Sequence, residues 1–299
     1  MPWGEVAVSA GPGPSASPPG GASALAQIET LDGDPPTSRE VEARRVPAGE
    51  GRAEEVSRRV AVEMPVSLVY GFQPYAVMMA TPADLEDFAI GFSLTEDVIR
   101  ATADIRGIQV EEGEGGPVVT IDLVPERLHA LLANRRLRNT VGRTGCGVCG
   151  VEEVSGLPLA ARRDGSAPPI AREAIHRALA GLSGGQPLNA ATRATHAAAW
   201  AARDGQLMLV REDVGRHNAL DKLIGALLRA GADPAEGFVV ITSRLSFEMV
   251  EKAAAFGAGT VVAISAPTSL ALDRARHHGM TLVAIARDDG HMVFTEPGA

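Results

Sequence analysis

Cys146 and Cys149 are the only cysteines in 299 residues, and they lie in the run Thr144-Gly145-Cys146-Gly147-Val148-Cys149-Gly150, spaced C-x-x-C among three glycines. Glycine leaves the backbone free to swing and the sulfurs poorly shielded, whereas a structural cysteine stands singly in an apolar helix or strand. Three chemistries compete for such a loop. Zinc needs about four ligands, and with no second C-x-x-C and no H-x₃₋₅-H the set would have to recruit distant histidines such as His196 or His217; no resident metal is expected. A reversible dithiol usually opens a helix after a strand, but here a predicted helix precedes the motif. A thiolate favoured by Arg143 and by loop N–H groups can instead accept a sulfur atom and pass it on as a persulfide. The function classes that follow are a sulfurtransferase, a dithiol redox protein, and a cofactor-binding chaperone without covalent chemistry.

The chain that must position this loop is long enough for one or two domains and is 45% hydrophobic with few aromatics, which reads as an Ala/Val/Leu-packed globular protein. The start, Met1-Pro2-Trp3-Gly4-Glu5, has neither a basic cluster nor an apolar run, so no signal peptide is expected and a cytoplasmic location is. Ala253 to Leu272 carries no charge, yet its glycines, Pro267 and hydroxyl residues break it into helix end, strand and loop, and no membrane span is expected. A net charge of −9 disfavours DNA or RNA as a partner, since that binding rests on Lys and Arg neutralising phosphates. Of 28 basic residues only Lys222 and Lys252 are lysines, and a compact ammonium can make point contact with phosphate.

Residues 1–51 are read as a disordered Pro/Gly-rich tail, with 15 Pro plus Gly in the first 50 residues and no amphipathic period. Residues 52–140 form a small α+β unit: strands at 56–61, 66–70, 75–79 and 118–123, a helix opened by Thr81 as N-cap with Pro82 and Asp84 in a T-x-x-D arrangement, and a second helix over 125–137. Residues 141–169 hold the mobile cysteine loop and a linker. Residues 170–299 then alternate strand and helix, with strands at 207–211, 238–242, 260–265 and 281–286 and helices at 171–182, 216–230, 246–256 and 269–277. This pattern predicts a largely parallel sheet with helices on its faces.

In such a sheet, polar residues at the strands' carboxyl ends share one rim, where ligands bind. The runs Arg211-Glu212-Asp213-Val214-Gly215-Arg216-His217-Asn218, Thr242-Ser243-Arg244-Leu245-Ser246, Ser265-Ala266-Pro267-Thr268-Ser269 and Arg287-Asp288-Asp289-Gly290 occupy those positions. Three of them open a helix, where free backbone N–H groups suit a phosphate. Candidate ligand contacts are Arg216, His217, Asn218, Asp221, Lys222, Ser243, Arg244, Ser265 and Thr268. Leu220, Leu223, Ile224, Leu227 and Leu228 make the buried stripe of the helix after Gly215. They leave His217 with Asp221 and Asn218 with Lys222 as i, i+4 pairs on the opposite side; Glu248 and Lys252 are spaced likewise.

The runs TGCGVCG, REDVGRHNALDKLIG, TSRLSFEMVEKAA and SAPTSLAL followed by GMTLVAIAR, in that order, resemble the FdhD family of formate dehydrogenase accessory sulfurtransferases from about residue 55 onward. The resemblance implies a cytidine deaminase-like three-layer α/β/α domain after the small α+β unit. It implies that a cysteine desulfurase supplies sulfur, that Cys146 carries it as a persulfide with Cys149 as its partner, and that the acceptor is the molybdenum bis-guanine-dinucleotide cofactor of formate dehydrogenase, bound as substrate through its guanine-nucleotide parts. The family's cofactor contact falls on Ile285, Ala286, Arg287, Asp288, Asp289 and Gly290, with Ile285 where relatives often have an aromatic residue. A homodimer is a further expectation. Deaminase chemistry is not implied: in His196-Ala197-Ala198 an alanine stands where the zinc deaminases' H-x-E needs glutamate.

Overall fold

The computed structural model describes residues 28–29, 36–134, 160 and 168–297. Cys146 and Cys149, with most of the segment expected over 141–169, lie outside them. In chain order come strands β1 (Ile28–Glu29), β2 (Ser38–Arg45), β3 (Glu54–Ala61), β4 (Met64–Tyr70) and β5 (Gln73–Ala80), helix α1 (Leu85–Thr95), strands β6 (Ile105–Gly113) and β7 (Gly116–Leu123), and helix α2 (Pro125–Asn134). Then follow α3 (Arg172–Leu182), α4 (Pro187–Thr192), β8 (His196–Ala202), β9 (Leu207–Asp213), α5 (Arg216–Arg229), β10 (Gly237–Ile241), α6 (Phe247–Phe256), β11 (Thr260–Ala263), α7 (Ser269–His278), β12 (Thr281–Arg287) and β13 (Gly290–Thr295).

The expected tail is not uniformly without structure: β2 pairs antiparallel with β3 from Ser38–Ala61 to Arg45–Glu54, so the boundary expected at 51/52 falls inside a hairpin. Charged residues alternate with Val41, Ala43, Val56 and Val60, and the ladder satisfies backbone that the composition alone gave no reason to pair. The first sheet has the order β1-β6-β7-β4-β5 and includes β6, which lies outside the strands expected from the sequence; Ile105, Ile108 and Val110 are its buried positions. Leu85, Phe88, Ala89 and Phe92 of α1 share a core with Val66, Leu68, Tyr70, Val119 and Ile121 of that sheet.

The helix does not start as Thr81, Pro82 and Asp84 suggested. Asp84, in a left-handed conformation (φ 53°), is the N-cap and makes no side-chain cap. Thr81 is occupied elsewhere: its N–H donates to Asp213 Oδ2 at 2.9 Å, its Oγ1 accepts from the Val214 N–H at 3.2 Å, and its carbonyl accepts from Lys222 Nζ at 2.9 Å.

The second sheet has the order β13-β12-β11-β10-β8-β9. Strands β9, β10, β11 and β12 run in one direction as expected, but β8 is inserted antiparallel between β9 and β10. Its run of alanines carries helix propensity; small side chains are what a strand buried on both faces accommodates here, with Trp200 meeting Phe256 of α6 edge-on at 5.8 Å. Helices α5 and α6 and part of α7 belong to the core on one face of this sheet, and Ile175, Ala178 and Leu182 of α3 cover the other. The domain is thus layered α/β/α, as the resemblance implies.

The small unit and the sheet domain are joined by one hydrophobic core, in which α1 and α5 are both buried nearly all round. The two helices pack antiparallel at a pair of glycines. A Cβ on Gly91 would stand 1.8 Å from the Asp221 carbonyl oxygen, and one on Gly225 would stand 1.8 Å from that of Asp87. Asp87, only 3% exposed, ties the same contact electrostatically, 2.8 Å from both Arg211 and Arg229. The uncharged run from Ala253 to Leu272 is divided among α6, β11 and α7, and no helix among the described residues is long and apolar enough to cross a membrane.

Gly91→Ala is expected to destabilise the fold by roughly 1–3 kcal/mol although alanine is the better helix former, because overpacking backbone against backbone outweighs propensity. Gly184→Ala, at a position with open space around it, is the control and is expected to be neutral or slightly stabilising. Urea unfolding of the two variants checks the pair.

Candidate functional site

The carboxyl ends of β9, β10, β11 and β12, with the first residue of β8, make the rim that the alternation predicted. It is organised around Asp213, the last residue of β9, which is fully buried. Its Oδ1 accepts from the Gly215 N–H at 2.7 Å and from Asn218 Nδ2 at 3.1 Å; its Oδ2 accepts from the Thr81 N–H at 2.9 Å and lies 2.7 Å from Lys222 Nζ. One carboxylate therefore seats the first turn of α5, the end of β5 and a buried ammonium. Removing one partner of such a pair leaves the other charge uncompensated, at about 3–5 kcal/mol.

The i, i+4 pairs expected on an outer face of α5 are not there, because α1 covers that side. Lys222 is 0% exposed and turned to Asp213 and Thr81. Asp221 is bound to Lys252 Nζ at 2.8 Å and to Thr95 Oγ1 at 2.8 Å rather than to His217. Both lysines of the chain thus serve buried ion pairs, and Asp221 and Lys222 sit one turn below the rim instead of facing a ligand.

The remaining candidates do come together. Arg216, His217 and Asn218 open α5; Ser243 and Arg244 precede α6, with Ser243 buried and its hydroxyl on the Arg244 carbonyl at 3.1 Å. Ser265 follows β11, and Thr268 caps α7 through the Ala271 N–H. The loops after β10 and β11 are stitched to each other by Leu245 N–H to the Ala266 carbonyl (3.2 Å) and Thr268 N–H to the Leu245 carbonyl (3.0 Å). At the far end, Ile285 is held at φ 52°, a left-handed conformation that is rare for a β-branched residue, where the β12–β13 register shifts between Ala284 and Arg287. Strain of this kind is found at ligand clamps, stabilised by its surroundings. Ala286 is buried, Arg287, Asp288 and Asp289 are exposed, and Gly290 (φ 152°) makes the turn.

Two of the expected contacts, Arg216 and Asn218, and two residues outside that set, Ser246 and Glu248, carry buried polar atoms without partners. Nδ2 of Asn218 is committed to two acceptors, Asp213 and the Met79 carbonyl at 2.8 Å, so its Oδ1 is the free atom: it is buried with no hydrogen-bond partner among the described residues. The same holds for Arg216 Nε, Ser246 Oγ and Glu248 Oε2. Native structures leave few such groups, and each asks for an explanation. The four lie at the starts of two neighbouring helices, α5 and α6, and include both donors and acceptors. His196, on the same rim, is held below the usual histidine range by burial first and then by the nearby Arg216 guanidinium, against the pull of Asp213. The signal for Ser246 and Glu248 was present in the sequence as a helix start beside Arg244.

Among the described residues no group of three or more His, Cys, Asp or Glu is placed to hold a metal.

A family model described as the FdhD/NarQ family matches residues 61–299. The chain is 49% identical over 247 residues to a sulfur carrier protein FdhD from Xanthomonas euvesicatoria pv. vesicatoria, covering 83% of this chain and 87% of that one. It is 45% identical over 253 residues to the protein of the same name from Bordetella petrii, covering 85% and 90%. Among solved structures it is similar to a putative formate dehydrogenase accessory protein from Desulfotalea psychrophila, with a TM-score of 0.66 and 25% identity over 88% of this chain and 98% of that one.

The buried acid below the rim has a measurable consequence. Burial raises the Asp221 carboxyl from 3.8 to about 6, against the opposing effect of Lys252 and Thr95. Between those values the folded protein holds a proton that the unfolded chain has released. The contribution of this group to stability is therefore fully present below 3.8 and is lost as pH rises through about 6. Urea unfolding as a function of pH is expected to show the wild-type chain losing stability across that window relative to Asp221→Asn, with the difference constant above it.

Proposed function

The chain belongs to the FdhD/NarQ family, and from that premise we propose that it carries sulfur from a cysteine desulfurase, as a persulfide on Cys146, to the molybdenum bis-guanine-dinucleotide cofactor of formate dehydrogenase. The observation that carries this reading is the sulfur-carrier name of relatives nearly half identical to the chain, beside helix starts gathered on the strand-end rim. A ligand with phosphates suits the free N–H groups at the starts of α5 and α6, where the helix dipoles also favour negative charge. The strained Ile285 and the turn over 287–290 lie four strand spacings away along the same rim, about 19 Å at ordinary sheet geometry. An elongated ligand such as a dinucleotide spans that distance.

In this reading the cofactor is the substrate, and the protein contributes two things: a thiol that accepts one sulfur atom, and a rigid rim that holds the acceptor. Cys149 is the partner of Cys146 in the loop. The division of labour has a testable form. Cys146→Ala is expected to abolish both the mass gain of one sulfur on its peptide after incubation with a desulfurase and cysteine, and formate dehydrogenase maturation in a strain lacking the native gene. Arg216→Glu is expected to leave the mass gain intact and to impair maturation at least tenfold, since a like charge beside a phosphate disfavours binding by more than 1.4 kcal/mol. Maturation at wild-type levels with Cys146→Ala would sink the proposal.

A further inference from the structure

We propose that His176 and His291, with Glu173, form a zinc site that clips α3 to β13, on the face of the second sheet away from α5, α6 and α7. His176 lies in the second turn of α3, and His291 is the second residue of β13, 115 positions further along the chain. Their ring centroids are 5.2 Å apart and the planes are tilted by 43° rather than stacked. His176 Nε2 and His291 Nδ1 face each other at 3.3 Å. No spacing along the chain announces the pair, because one ring comes from a helix and the other from the last strand.

The separation of the two nitrogens identifies the ion. Between neutral imidazoles one nitrogen has to donate, and 3.3 Å is longer than the roughly 2.9–3.0 Å usual for an N–H donor. Zinc holds histidine nitrogens tetrahedrally at about 2.0–2.1 Å, and a tetrahedron's edge is about 1.63 times that length, so two zinc-bound nitrogens stand about 3.3–3.4 Å apart. A square-planar ion would draw neighbouring nitrogens to about 2.8–3.0 Å. Both lone pairs are offered only by neutral rings. Burial first, then His176 and Arg172, holds His291 below the usual histidine range, which keeps that ring neutral at ordinary pH.

Glu173 supplies the third ligand. It stands three residues before His176 and so shares its face of α3, the Glu-x-x-His spacing by which a helix presents two ligands to one ion. Its charge already acts on His176. As the side chains stand, two ligands face the common centre and Glu173 is turned to Arg172 at 3.2 Å. Both members of that ion pair are about three-quarters exposed, 76% and 74%, so little holds the carboxylate there. Turned to the ion, it offsets the repulsion from Arg172, and water takes the fourth position. Because the ligands come from two elements that meet only in the folded chain, the ion favours the folded state.

Cys146 and Cys149 bind zinc in their own right, so the test uses the full chain carrying Cys146→Ala and Cys149→Ala. Zinc chloride is expected to bind it in equimolar amount by calorimetry, and cobalt(II) to give the intense visible bands of a tetrahedral site. His176→Ala and His291→Ala, added singly, are each expected to weaken zinc at least tenfold. Glu173→Gln is expected to weaken it by a smaller factor, and His129→Ala, at an exposed position on α2, to leave it unchanged. Zinc is also expected to raise the urea midpoint of the parent chain and not that of the His291→Ala variant. Three results overturn the proposal: no zinc binding by the cysteine-free chain, affinity within about twofold of the parent in both histidine variants, or the weak spectrum of six-coordinate cobalt. The pair is then a hydrogen bond between imidazoles. Unchanged affinity in Glu173→Gln removes that residue from the ligand set.

Discussion

The carboxylate of Asp213 and the ammonium of Lys222, 2.7 Å apart and both wholly removed from water, are the contact on which the architecture turns. Two charges taken out of water are tolerated only with excellent geometry and with their remaining hydrogen-bonding capacity filled. That requirement recruits Gly215, Asn218 and both backbone groups of Thr81. Thr81 belongs to the small α+β unit and the others to the sheet domain. Satisfying one buried ion pair therefore fixes where the two units meet and how the first turn of α5 is presented at the rim. A hydrophobic pair at these positions would pack as well and would specify none of this.

The glycine pair on α1 and α5 makes the arrangement possible. Backbones that approach this closely bring the polar side chains of α5 into α1's territory, so Asp221 must find Lys252 and Thr95 inside the protein and Asp87 must hold two arginines. The polar groups of α5 are consequently divided by depth. Those one turn in are paired and structural, while those at the helix start include atoms left open. The rim is polar because the helices begin there, and the buried pairs of Asp213 with Lys222 and Asp221 with Lys252 fix the turns beneath it.

Much of the layout was legible in the sequence, because it rests on local signals. The alternation of short Val/Ile-rich runs with amphipathic stretches identified β9 through β12 and α5 through α7 to within a few residues, since period and length are properties of the chain itself. The clustering of Arg216, His217, Asn218, Ser243, Arg244, Ser265, Thr268 and Ile285–Gly290 on one rim followed from strand direction, which makes all carboxyl ends coincide. Where propensity and pairing disagreed, the sequence misled. The residues of β2 read as tail, and Thr81 read as a helix cap because nothing local shows that its donor and two acceptors are claimed from more than 130 residues away.

By itself, then, the sequence determined the layered α/β class and the rim and set out the C-x-x-C spacing of Cys146 and Cys149, all of which depend on residue type and short-range spacing. Only the tertiary structure decided the roles of the charged residues on α5 and α6. Lys222 and Asp221, which looked free to meet a ligand, are consumed by burial, and Asn218, Ser246, Arg216 and Glu248 carry the unsatisfied atoms instead. The physical reason is that a polar group's partner is chosen by whatever lies within about 3 Å of it, and that neighbourhood is assembled from β5, α1, β9, α5 and α6 at once, which no local pattern encodes.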